Sequence, residues 1–228
     1  MFGKKYKLNH QLHIHHIVMV FILTCITVFS TRYSAAQDHP QTEISSILIL
    51  GDSISAEYGL ARGSGWVAIL DKRLKQEQKK ISVINASISG ETTSGGLTRI
   101  NKLLKLHHPQ IIIIELGAND GLRGLDLQAA EKNLKQMIQE SKKSGAKILL
   151  VGMKIPPNYG QGYTQRFFNM YGKLASIEGT ALVPFLLDKM ADKVDLFQSD
   201  HIHPNEKAQP ILFENVWKEL NKLLLQPS

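Results

Sequence analysis

Five short runs rich in Ile, Val and Leu recur along this chain, at residues 46–50, 81–85, 110–116, 147–152 and 181–184. They show little polar alternation, the pattern of strands covered on both faces. The intervening stretches carry helical spacing instead. Residues 66–78 place Val67, Leu70 and Leu74 on one face, residues 96–106 do so with Leu97, Ile100, Leu103 and Leu104, and residues 128–144 with Leu134, Met137 and Ile138. Gly145 ends the third of these as a helix stop. Two further helices are predicted over 163–177 and 206–225, with Pro210 either kinking the last one or falling in its first turns. Strands that alternate with helices form a parallel sheet with right-handed crossovers, so the expected fold class is α/β, a three-layer α/β/α domain with a five-stranded parallel sheet. No internal repeat or interdomain linker interrupts it.

A chain of 228 residues is long enough for one such domain and a leader. Lys4, Lys5 and Lys7 precede the apolar run 17–29, and Ser34-Ala35-Ala36 supplies small residues before Gln37. That order reads as a secretory signal peptide over 1–36, followed by a polar segment, 37–45, and the domain at 46–228. Export to the periplasm or the medium follows. An uncleaved anchor is the rival reading, but the apolar run is shorter than the roughly 20 residues a membrane-spanning helix needs. Cys25 lies within the leader, and Thr24 before it is larger than a lipoprotein cleavage site wants. Removal of the leader would leave no cysteine, and hence no disulfide, thiolate metal site or cysteine nucleophile.

The leader also biases the charge. It holds four of the 27 Lys and Arg residues and none of the 20 acids, so the remainder carries 23 minus 20, or +3. With no basic cluster interleaved with aromatics, no nucleic-acid partner is expected. The leader's His13, His15 and His16 look like a metal tract but fall in a segment expected to be removed.

In open α/β sheets the ligand sits beyond the carboxyl ends of the strands. Ser53 follows the first strand, residues 87–93 the second, 117–121 the third and 155–162 the fourth. A turn at a strand end exposes the Ser53 hydroxyl and brings its own N–H to the same volume, as a nucleophile requires; Asp52 or Ser53 capping a helix is the plainer alternative. No Gly-x-Ser-x-Gly elbow surrounds it. Near the other end stands Asp200-His201-Ile202-His203-Pro204. An Asp three residues before a His can hold one ring nitrogen and leave the other for Ser53. This favours His203 over His201 as the base. His201 and His203 resemble a metal pair, yet no third ligand stands at a convincing spacing, so no metal is expected. Donors for an oxyanion are offered by Ser89-Gly90-Glu91-Thr92-Thr93 and by Gly117-Ala118-Asn119-Asp120, although each alone is more often a turn.

These blocks resemble those of the GDSL or SGNH hydrolase family. Gly51-Asp52-Ser53-Ile54-Ser55 is similar to its nucleophile block, Gly90 to its glycine block, Gly117-Ala118-Asn119-Asp120 to its Gly-x-Asn-Asp block, and Asp200 through His203 to its Asp-x-x-His block. Ile54 is a conservative departure and Ala118 fills a variable position. The resemblance runs from Ile47 to the last helix and is strongest to the bacterial members with combined thioesterase, lysophospholipase and arylesterase activity. It implies a flavodoxin-like strand order. It also implies Ser53 as nucleophile, His203 as general base, Asp200 as its orienter, and the Ser53 N–H, Gly90 N–H and Asn119 side chain as the oxyanion hole.

The expected reaction is hydrolysis of acyl esters through an acyl-Ser53 intermediate, without metal or organic cofactor. Lysophospholipids and simple esters are the expected substrates, since export would separate the enzyme from cytosolic acyl thioesters. Leu122, Ile155 and Tyr159 are the candidates for contact with the acyl chain. A monomer touching membranes at most transiently is the family expectation. Two alternatives stand beside it: a carbohydrate O-acetyl esterase with the same catalytic set, and a secreted non-catalytic binding module.

Overall fold

A computed structural model describes residues 46–226. The expected leader at 1–36 and segment at 37–45 lie outside the described residues. The strands are β1 (Ser46–Gly51), β2 (Ser82–Asn85), β3 (Ile111–Glu115), β4 (Lys147–Val151) and β5 (Ala181–Val183). All four pairings are parallel and the order is β2-β1-β3-β4-β5. This is the flavodoxin-like order, and it places the switch in strand order between β1 and β3, where their carboxyl ends diverge to neighbours on opposite sides.

The helices are α1 (Trp66–Gln76), α2 (Thr93–His107), α3 (Ala118–Leu122), α4 (Leu127–Lys143), α5 (Gln161–Glu178) and α6 (Gln209–Leu225). Each long helix presents an apolar stripe to the sheet. Leu70 and Leu74 of α1, Ile100 of α2, Leu134 and Met137 of α4, Phe167 and Leu174 of α5, and Leu212 and Leu220 of α6 are all buried. Ile47 to Leu50 and Ile111 to Ile114 are wholly inaccessible, as covered central strands must be. At about 1.5 to 3 kcal/mol per fully buried aliphatic side chain, these two strands and the stripes facing them anchor the fold. The expectation of strands covered on both faces fails at β2, whose residues are half-buried or exposed. It is an edge strand, flanked on one side only by β1.

Several helix bounds differ from the sequence reading for local reasons. The predicted start at 96 moves back to Thr93 because the Thr92 side chain accepts from the Gly95 N–H, an N-cap that apolar periodicity does not register. Pro210 neither kinks nor breaks α6. It occupies the first turn, where its missing N–H costs nothing, after a short 3₁₀ turn at Glu206–Ala208. α3 falls where the sequence predicts only a turn. Five residues are too few to show a period, and Gly117, at φ +117°, turns the chain sharply out of β3 into it.

Candidate active site

Ser53 lies just past β1, in a run of turns at 53–59. No regular helix starts at this serine. The Ala56 N–H donates to the Asp52 carbonyl and the Tyr58 N–H to the Ser53 carbonyl, giving one helix-like turn before the glycine-rich stretch ahead of α1. Gly51 is required at this corner. A Cβ there would lie 2.7 Å from Glu115 Oε2 and 2.8 Å from the Ser55 Cβ, both in the packed layer under the turn.

That layer is a buried acidic cluster. Glu115 ends β3 and its Oε2 accepts from the Ser55 hydroxyl at 2.7 Å and from the Asp52 N–H at 3.3 Å. The Asp52 carboxylate accepts from the Ile54 N–H at 3.1 Å and from Asn119 Nδ2, also at 3.1 Å. Burial holds the Glu115 carboxyl well above the usual carboxylate range, and the neighbouring Asp52 charge pushes it the same way. Burial likewise raises Asp52 to about 6, against the pull of the Ile54 N–H, the nearby His203 and the Asn119 amide. Two stacked carboxyl groups in one dry volume disfavour a double negative charge.

His203 arrives from the far end of the sequence, on the segment before α6. Its Nε2 lies 2.9 Å from Ser53 Oγ and its Nδ1 2.6 Å from Asp200 Oδ2. A carboxylate at Nδ1 fixes the tautomer with the proton on that nitrogen and leaves Nε2 to accept from the serine hydroxyl. Asp200 also accepts at Oδ1 from the Ile202 and His203 N–H groups, at 2.9 and 3.0 Å. This tight turn puts His201 in the left-handed region, at φ +57°. The slight desolvation of Asp200 would raise its carboxyl, but the hydrogen bonds from the His203 N–H, the His203 ring and the Ile202 N–H outweigh it and lower the group to about 2.

Two contacts hold the segment in place. The Gln198 N–H donates to the His203 carbonyl at 2.8 Å, and Gln198 Nε2 donates to the Tyr58 carbonyl at 2.8 Å, joining the histidine segment to the serine turn. The Tyr58 ring packs on the imidazole with centroids 4.5 Å apart. Neither residue carries a motif, so neither was found from sequence. Thr93 and Asp120 fall in the two stretches singled out from sequence, but their contact with each other spans 27 residues and leaves no local pattern. Thr93 donates to Asp120 through its N–H at 2.9 Å and its hydroxyl at 2.6 Å, pinning α3 to the start of α2. Glu115 did leave a signal, as the one charged residue inside the most apolar strand run.

The candidate oxyanion donors converge from three strand ends. Among the described residues the Ser53 and Gly90 N–H groups have no hydrogen-bond partner, so both are free to donate. Asn119 spends one amide hydrogen on Asp52 and keeps the other.

An apolar cavity of about 450 Å³ opens at Ile54, the residue after Ser53, and is walled in part by Leu122, Ile155, Phe185 and Ile202. Of the three expected acyl contacts, Leu122 and Ile155 line it and Tyr159 does not. The Tyr159 hydroxyl turns instead to the Leu122 carbonyl, donating at 2.9 Å and bracing that wall from behind. His201 is on the rim of the same cavity rather than beside the Ser53 hydroxyl.

The chain is similar to proteins already known. The chain is 48% identical to the esterase TesA of Pseudomonas aeruginosa over 197 residues, covering 86% of this chain and 94% of that one. It is 42% identical over 179 residues to the thioesterase 1/protease 1/lysophospholipase L1 of Escherichia coli K12, covering 78% and 85%. A crystal structure of TesA superposes with a TM-score of 0.76 at 49% identity, over 79% of this chain and 99% of that one. Residues 49–210, from within β1 to the start of α6, match the sequence pattern of one family, and this chain belongs to it: the GDSL-like lipase/acylhydrolase family.

Proposed function

We propose that this enzyme is a serine esterase that hydrolyses acyl esters in two steps through an acyl-Ser53 intermediate. The observation that carries the reading is the unbroken hydrogen-bond chain from Ser53 Oγ through His203 to Asp200. As Ser53 Oγ bonds to the ester carbonyl carbon, its proton passes to His203 Nε2, and Asp200 stabilises the imidazolium at Nδ1. The Ser53 and Gly90 N–H groups and the Asn119 amide receive the developing oxyanion. His203 then returns the proton to the leaving oxygen, and water repeats the sequence to free the acid.

The cavity supports one substrate class over another. An acetyl group would leave most of a 450 Å³ apolar space unfilled, which favours longer acyl chains over the O-acetyl groups of carbohydrates. Ile54, Leu122 and Ile155 take the acyl chain in this reading, with aryl esters and lysophospholipids as substrates and acyl thioesters admitted by the same chemistry. A non-catalytic binding module would have no use for an imidazole held between a serine and a carboxylate.

Ser53→Ala tests the reading. Hydrolysis of p-nitrophenyl butyrate should fall by about three orders of magnitude or more with an unchanged circular dichroism spectrum. A variant that keeps parental turnover would remove Ser53 from the chemistry.

A further inference from the structure

Arg123 closes α3 on the exposed side of the cleft, and its guanidinium faces no carboxylate within ion-pair distance among the described residues. One of its nitrogens, Nη2, donates instead to two uncharged acceptors, the Gly90 carbonyl at 3.0 Å and, more loosely, Asn119 Oδ1 at 3.4 Å. Gly90 stands on the loop after β2, and Asn119 in the first turn of α3, after β3. They are also two of the three groups that the esterase reading assigns to the oxyanion.

The Asn119 side chain is therefore held at both ends. Its Oδ1 faces the Arg123 cation, and its Nδ2 donates to the Asp52 carboxylate. A flipped amide would set its oxygen against Asp52 and its hydrogens against the guanidinium, so both charges select one orientation. That orientation leaves the second Nδ2 hydrogen for substrate. Gly90 is held in a comparable way. Its backbone sits at φ +78°, its carbonyl is engaged by Arg123, and its N–H has no partner among the described residues.

We propose that Arg123 is a positioning residue that ties α3 to the Gly90 loop, fixing the Asn119 amide and the Gly90 peptide at the distance and orientation the transition state needs. This deepens the esterase reading and rests on it. A donor is effective only when it is preorganised toward the position the oxyanion will occupy, so a residue that sets its direction acts on turnover more than on substrate binding. A planar guanidinium, with its donors in a fixed fork, suits that task better than a flexible ammonium.

The test is the steady-state kinetics of Arg123→Ala with p-nitrophenyl butyrate, alongside Asn119→Ala and the double variant. Since removing a whole donor typically costs about 10² to 10³ in turnover, misdirecting one should lower kcat by about tenfold, with KM within about twofold of the parent. Thermal unfolding should be unchanged, because Arg123 is exposed. Millimolar guanidinium ion should restore part of the lost turnover, which a purely structural defect would not permit. In the Asn119→Ala background the arginine substitution should cost much less than it does alone, as residues acting through one another are not additive. Unchanged kcat in Arg123→Ala, or a full independent loss in the double variant, would overturn the proposal. Failure of the esterase reading is seen separately, as parental hydrolysis that survives Ser53→Ala.

Discussion

Two aspartates flank the chemistry and could hardly be placed more differently. Asp52 precedes Ser53 in sequence and is almost wholly buried, over Glu115. Asp200 comes from the opposite end of the domain and leaves 37% of its side chain exposed. Burial raises the first to about 6, while hydrogen bonds from His203 and Ile202 bring the second to about 2. An ionised acceptor is what an imidazole about to gain a proton needs beside Nδ1, and Asp200 meets that need over the working range of a hydrolase. Asp52 suits another task. It holds the Asn119 amide by one hydrogen bond and ties the serine turn to the layer beneath, tasks that depend on geometry more than on a full charge.

The sharpest way to break this comparison is to neutralise each acid in turn. Asp200→Asn should reduce kcat with an activated ester by about 10³ to 10⁴, because the amide favours the wrong imidazole tautomer while preserving the shape of the turn. Asp52→Asn should cost about tenfold, since its amide oxygen can still accept from Asn119 and only the charge is lost. Steady-state rates for the two variants, measured together, would refute the division of roles if Asp52→Asn proved as damaging as Asp200→Asn.

A smaller effect should appear in stability against pH. Asp52 moves from an ordinary 3.8 to about 6, so the folded chain binds this proton more tightly than the unfolded one. Stability should therefore be greatest with Asp52 protonated and decline as pH rises from about 4 through 6, by on the order of 3 kcal/mol, with Glu115 acting in the same direction. Asp200 acts in the opposite sense and at lower pH, losing its contribution as pH falls toward 2. Denaturant unfolding between pH 4.5 and 7.5 should show the first slope in the parent and a shallower one in Asp52→Asn. A parent whose stability climbs across that interval would contradict the raised carboxyl.

The strands were legible in the sequence because buried parallel strands leave uninterrupted apolar runs, and all five fall where those runs predict. The candidate reactive groups were legible because Ser53, Gly90, Asn119, Asp200 and His203 each sit in a compact motif at a strand end or before the last helix. The supports were not. Gln198, Tyr58 and Thr93 act through contacts between segments far apart in the chain, and α3 is too short for its period to show. The hydrogen bond of Tyr159 was not legible because a tyrosine looks the same in sequence whether its ring lines a pocket or its hydroxyl donates to a neighbouring carbonyl. Arg123 reads as an ordinary surface charge until Gly90 and Asn119 are brought together in space.

Activation of Ser53 by His203 is the contact on which the proposed chemistry depends, and covalent trapping examines it most directly. Incubation with a fluorophosphonate and mass spectrometry of the digested protein should place one phosphonyl group on Ser53 in the parent, with labelling slowed by orders of magnitude in His203→Ala. Label on another residue, or equal labelling rates with and without His203, would contradict the central claim.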